Sequence, residues 1–117
     1  MKHHKRGRGL GRKSSAERQA LLKSLSRSLV LHGKIRTTEA KAKELRPFIE
    51  RMVTHSKKGG LAVERLLISR IGGEAEAKTL LKEIAPRYMD RKGGYTRITK
   101  LPRRLSDSAA MAQISFV

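Results

Sequence analysis

Residues 34–53 read KIRTTEAKAKELRPFIERMV, and the period of their apolar positions changes part-way along. Lys34-Ile35-Arg36-Thr37 is short, β-branched and extended in character, the pattern of an edge strand. From Thr38-Glu39 onward the stripe becomes Ala42, Leu45, Ile49, Met52 and Val53, the spacing of one face of an α-helix. A strand running directly into an amphipathic helix predicts a domain that mixes sheet and helix. Pro47 lies inside the stripe and removes one backbone hydrogen bond, either kinking a single helix or opening a new one at its first position. The apolar register continues unbroken across it, which favours one kinked helix.

On the N-terminal side, Ser14 and Glu17 form a capping box, and Leu21, Leu22, Leu25 and Leu29 follow at helical spacing until His32-Gly33 stops the helix. On the C-terminal side, Lys57-Lys58-Gly59-Gly60 ends the second helix. Leu61 to Ile71 predicts a third, with Leu66 and Leu67 inward, stopped by Gly72-Gly73. Residues 74–85 predict a short fourth that buries Ala77, Leu80, Leu81 and Ile84 and is closed by Pro86. Tyr95 to Leu101 is rich in β-formers after a Gly93-Gly94 turn, and Met111 to Val117 alternates with Ala112, Ile114 and Phe116 on one face. The Ile35 strand is expected to join this C-terminal pair. The fold class is therefore α+β: four helices packed on a small two- to three-stranded sheet, a single domain over residues 14–117. An extended basic N-terminal arm over residues 1–13 precedes it.

Charge limits what such a domain can do. Twenty-eight Lys and Arg stand against ten Asp and Glu in 117 residues, a formal net charge of +18. Self-repulsion on that scale opposes compactness unless a polyanion neutralises it. Two Tyr, two Phe and no Trp are too few rings for a platform that stacks unpaired bases, so phosphate and sugar contacts are the expected chemistry. No cysteine is present, which removes disulfides, thiolate metal sites and cysteine nucleophiles. No apolar run exceeds four or five residues, so neither a membrane span nor a signal-peptide core is expected.

Nothing in the chain reads as a catalytic or metal site. His3, His4, His32 and His55 have no Asp or Glu at ligand spacing, and Ser14 is accounted for by capping. Gly7-Arg8-Gly9-Leu10-Gly11 follows no strand and lacks the spacing of a dinucleotide loop. Neither an enzyme activity, a cofactor nor a small-molecule substrate is expected. The basic residues instead fall into three blocks. The first is Lys2, His3, His4, Lys5, Arg6, Arg8, Arg12 and Lys13, in an arm whose glycines let the backbone press close to a ligand. The second is Arg36, Lys41, Lys43 and Arg46. The third is Arg87, Arg91, Lys92, Arg97, Lys100, Arg103 and Arg104, with Asp90 its sole acid. Tyr95, flanked by Arg91, Lys92 and Arg97, either stacks on a base or ribose or caps the small core. These positions are the candidate nucleic-acid contacts, and a DNA-compacting architectural protein is the alternative to an RNA-binding one.

Three motifs carry a resemblance. MKHHKRGRGLGR at the start, TTEAKAKELRPFIE (Thr37 to Glu50) and APRYMDRKGGYTRITK (Ala85 to Lys100) resemble, in order, segments of the bacterial large-subunit ribosomal protein seventeen family, as does the ending AMAQISFV. The chain departs from that pattern at Ser14-Ser15-Ala16-Glu17-Arg18, one residue longer and without the family's His, and in the loop Pro102 to Ser108, whose contacts are not carried over. The resemblance implies a structural component of the large ribosomal subunit, in a bacterial or organellar ribosome. It also implies binding to ribosomal RNA near the exit of the nascent-peptide tunnel, with neighbouring ribosomal proteins as partners. By motif, the arm, Thr37 to Arg46 and Arg91 to Arg97 are the RNA-contacting positions it implies.

Overall fold

A computed structural model describes residues 15–117. The capping role of Ser14 and the entire arm over residues 1–13 lie outside the described residues. Four helices stack against one face of a three-stranded antiparallel sheet. The first, α1, covers Ser15–His32 and is stopped by Gly33, whose φ of 81° is the left-handed conformation expected of a C′ glycine. The Gly33 amide donates to the Leu29 carbonyl at 2.7 Å, closing the last turn. The chain then enters β1 (Lys34–Thr38).

The helix that follows, α2 (Glu39–Lys58), starts where the change of period placed it. Thr38 is its N-cap, with the Thr38 hydroxyl accepting from the Lys41 amide at 3.3 Å. The helix runs unbroken through Pro47, so the single-helix alternative holds. Its stripe is the spine of the core: Ala42, Leu45, Ile49, Met52 and Val53 are all buried, against Leu29, Leu67, Ile71, Leu80 and Ile114 from the other elements.

Helix α3 spans Leu61–Ile71 and ends at left-handed Gly72. Leu67 and Ile71 are its buried residues; Leu66, expected inward, is only half-buried, because Val63, Leu67 and Ile68 hold the side facing the core. Helix α4 (Glu74–Thr79) continues into a π-helical turn at Leu80–Ile84 and a 3₁₀ turn at Ala85–Tyr88. The wide turn inserts one residue, closed by the Ala85 amide on the Leu80 carbonyl, and re-phases the buried side. Leu80 and Ile84 are buried as expected and Ala85 and Tyr88 join them, while Leu81, expected buried, is only half-buried and packs against the edge of the core. Pro86 does not end the segment: it sits in the first turn of the 3₁₀ piece, where its missing N–H leaves no bond unmade.

The sheet is completed by β2 (Thr96–Leu101) and β3 (Met111–Phe116), in the order β1-β3-β2. The last strand therefore lies in the centre, and β1 is an edge, as its composition predicted. Register pairs Ile35 with Ile114 and Ile114 with Ile98, which places these three side chains on the helix-facing side. The fold class expected from the sequence is the one observed.

Candidate nucleic-acid interface

A strand sends successive side chains to opposite faces, so the three isoleucines fix where every other strand residue points. The face turned away from the helices carries Lys34 and Arg36 from β1, Gln113 and Ser115 from β3, and Arg97 and Thr99 from β2. Lys34 and Arg97 flank Ser115, and Arg36 lies beside Gln113. Strands lie about 4.8 Å apart, so the two outer strands hold their cations about 10 Å from each other across β3. Lys34, Arg36, Arg97 and Thr99 are exposed. None of the three strands contains an acidic residue, and no carboxylate among the described residues pairs with any of these three cations. A sheet face that no other described residues cover, with three cations free of ion pairs among those residues and hydrogen-bonding side chains between them, is suited to phosphate and ribose oxygens.

The same alternation breaks up the blocks seen in the linear sequence. Lys100 emerges on the helix-facing side, beside α2, in a hollow of about 570 Å³ that it shares with Glu39, Lys43, Arg46 and Glu50. Two of the three cations there are already engaged. Lys43 pairs with Glu39 at 3.3 Å, and Arg46 lies 3.7 Å from Glu50 and donates to the Thr96 carbonyl at 3.4 Å. Glu50 in turn accepts from the Thr96 amide at 3.2 Å and hydroxyl at 2.9 Å, tying α2 to the first residue of β2. Lys41 is half-buried on α2, away from the exposed sheet face.

The turn before β2 is likewise held by its own residues. Arg91 donates to the Gly94 carbonyl at 3.2 Å and lies 5.8 Å from the Tyr88 ring centre; Arg87 and Lys92 are exposed beside it. In the β2–β3 loop, Arg103 donates to the Ser108 carbonyl at 2.8 Å, and Arg104 reaches Asp107 at 3.4 Å and the Met111 sulfur at 3.3 Å. Both arginines close the loop as much as they present charge.

Tyr95 resolves to the core. Its ring is fully buried, 5.2 Å from that of Tyr88, and is not presented for stacking on a base. Its hydroxyl receives a hydrogen bond from the Lys57 ammonium at 2.9 Å, lies 3.3 Å from the Thr54 hydroxyl and donates to the Arg91 carbonyl at 3.3 Å. Lys57 also donates to the Arg91 carbonyl. Burial pushes the Tyr95 phenol up, but the hydrogen bonds with Lys57 and Thr54 and the charge of Lys57 outweigh it and leave the phenol below its ordinary value of 10.0.

Two placements are not evident in the linear sequence. Lys34 shares the exposed sheet face with Arg36, which the i, i+2 relation in a strand could have signalled. Lys57 ends α2, and no local signal marks its reach to residues 91 and 95. Among the described residues no group of three or more His, Cys, Asp or Glu could hold a metal, and no helix is long and apolar enough to cross a membrane.

The profile of the family described as Ribosomal protein L17 matches residues 21–117. The chain belongs to this family. The large ribosomal subunit protein bL17 of Sphingopyxis alaskensis is 51% identical over 117 residues, covering 100% of this chain and 84% of that protein. The bL17 of Neorickettsia sennetsu is 48% identical over 118 residues and is covered, like this chain, to 100%. That of Zymomonas mobilis is 50% identical over 117 residues, with 83% of it covered. As a member of the L17 family the chain is a structural constituent of the ribosome and not an enzyme, and the ribosome is where it resides. The family resemblance expected from the motifs is thus established along the whole chain.

Proposed function

We propose that this protein is a structural part of the large ribosomal subunit that binds ribosomal RNA across the uncovered face of its sheet. The observation that carries this reading is the acid-free row of Lys34, Arg36 and Arg97, exposed on one sheet face and without an ion-pair partner among the described residues. The whole-chain charge of +18 supports it, since burying that charge against RNA phosphates removes the self-repulsion. The arm over residues 1–13, with six Lys or Arg and no acid, acts as a separate RNA-binding extension of the domain over 14–117. Exposed Arg87, Lys92 and Arg103 add further phosphate contacts around the domain. Neighbouring ribosomal proteins and a position near the exit of the nascent-peptide tunnel follow from the family resemblance.

The test is the salt dependence of binding to a large-subunit ribosomal RNA transcript. Each phosphate contact contributes roughly 0.7 to 0.9 to the log–log slope, so K34Q/R36Q/R97Q should flatten it by roughly 2 to 3. An unchanged slope would remove the sheet face from the interface. Equal affinity for naked duplex DNA in the same titration would favour the architectural, DNA-compacting alternative.

A further inference from the structure

A second cationic surface lies away from the sheet. The first half of α1, the middle of α2 and the end of α3 enclose an open groove of about 990 Å³. Pro47, Phe48 and Leu22 contribute its apolar lining, and Arg18, Lys23, Arg51 and Arg70 line it with four cations. Glu44 is the single carboxylate in the lining, and Arg18 occupies it at 2.7 Å. Lys23, Arg51 and Arg70 have no ion-pair partner among the described residues, and Arg51 and Arg70 are exposed. The three come from three different helices, which the core holds in fixed relation. Like charges converging on one concavity repel one another, and an anion between them relieves that cost.

The groove and the sheet face cannot serve the same phosphates. An α-helix rises 1.5 Å per residue, so Lys23 lies about 14 Å along α1 from His32, after which β1 begins, while Arg51 and Arg70 sit on helices packed on the opposite side of the sheet from its exposed face. That separation exceeds the roughly 8 Å over which charges act through solvent at physiological salt.

We infer that the α1–α2–α3 groove is a second phosphate-binding cleft, through Lys23, Arg51 and Arg70, and that the domain bridges two separate segments of RNA. This rests on the RNA-binding reading above and adds a second contact to it. An RNA strand suits the groove because phosphates recur along it to meet several cations, while the apolar strip formed by Pro47 and Phe48 accepts ribose carbons. Arg51 and Arg70 can each grip two phosphate oxygens through the guanidinium fork.

The experiment compares K23Q/R51Q/R70Q with the sheet variant K34Q/R36Q/R97Q and the parent on the same large-subunit ribosomal RNA transcript. The groove variant should flatten the log–log salt slope by roughly 2 to 3, and the two triple variants combined by about the sum. The charge-conserving variant K23R/R51K/R70K should keep most of the slope, with circular dichroism confirming that each protein is folded. A photo-activated cross-linker at position 51 and another at position 36, in assembled large subunits, should mark two RNA segments distant from each other. An unchanged slope for the groove variant beside a flattened one for the sheet variant overturns the second cleft and leaves the first reading standing. Unchanged slopes for both overturn the first reading as well. Cross-links from position 51 to a protein and not to RNA assign the groove to a protein partner and overturn the inference.

Discussion

Arg18 and Glu44 join α1 to α2, and removing the guanidinium tests how that junction is held. The Arg18 Nε and Nη2 both reach Glu44 Oε2, at 2.9 and 2.7 Å. The carboxylate side chain is 5% exposed and the arginine side chain 45%. Breaking a fully buried pair from one side costs about 3–5 kcal/mol, because the remaining charge is left desolvated and alone. Here one partner is half in water, so solvent screens part of the interaction, and R18A is expected to cost about 2 kcal/mol. For a domain of this size that lowers Tm by about 10 °C. The pair itself contributes little net stability, since desolvating both ions offsets most of their attraction. R18M/E44L, which replaces both by apolar groups of similar volume, should therefore recover most of the loss. Urea unfolding of the parent, R18M, E44L and R18M/E44L at moderate salt, followed by far-ultraviolet circular dichroism, gives all four corners of the cycle, with R18A measured beside them. The reasoning fails if R18A unfolds within about 0.5 kcal/mol of the parent, or if the double variant is as unstable as the worse single one.

Two further outcomes are expected. In Y88F, which leaves Tyr95 as the sole tyrosine, tyrosinate absorbance should rise at a pH below 10, and K57M should move that midpoint upward; a midpoint at or above 10 in Y88F would contradict the hydrogen-bonded arrangement. The unfolded phenol ionises near 10 and the folded one lower, so between those values the folded state holds fewer protons. Tyr95 then adds stability as pH rises through that window and none below it. The Ser26 hydroxyl is buried in α1 with no hydrogen-bond partner among the described residues, so S26A should raise unfolding stability by about 1 kcal/mol, and a loss of that size would show that the hydroxyl has a partner.

Local signals carried most of the fold. The change of period at Thr38, the glycine after His32 and the paired glycines at 59–60 and 72–73 are short-range physics, and all of them landed where the elements begin and end. Apart from Leu66, which the regular helix α3 turns only half inward, the errors fall where winding departs from the regular α-helix. Leu81 was assigned to the core on a straight helix, and the π turn at Leu80–Ile84 carried Ala85 and Tyr88 inward in its place. Pro86 is a helix breaker by rule, yet in a 3₁₀ first turn it breaks nothing.

What the chain settles by itself is its charge balance and its element order. An excess of positive charge and a scarcity of aromatic rings are properties of composition and need no coordinates. Which cations act together was decided only in three dimensions. Strand alternation sends Arg97 outward and Lys100 toward the helices, although only two residues lie between them. Pairing through β3 sets Lys34 and Arg36 on the same face as Arg97, about sixty residues away along the chain. Helix packing draws Lys23, Arg51 and Arg70 to one groove from positions no linear window connects. Charge adds along a sequence, but a phosphate responds to its nearest few ångströms, and only the tertiary fold decides which residues share them.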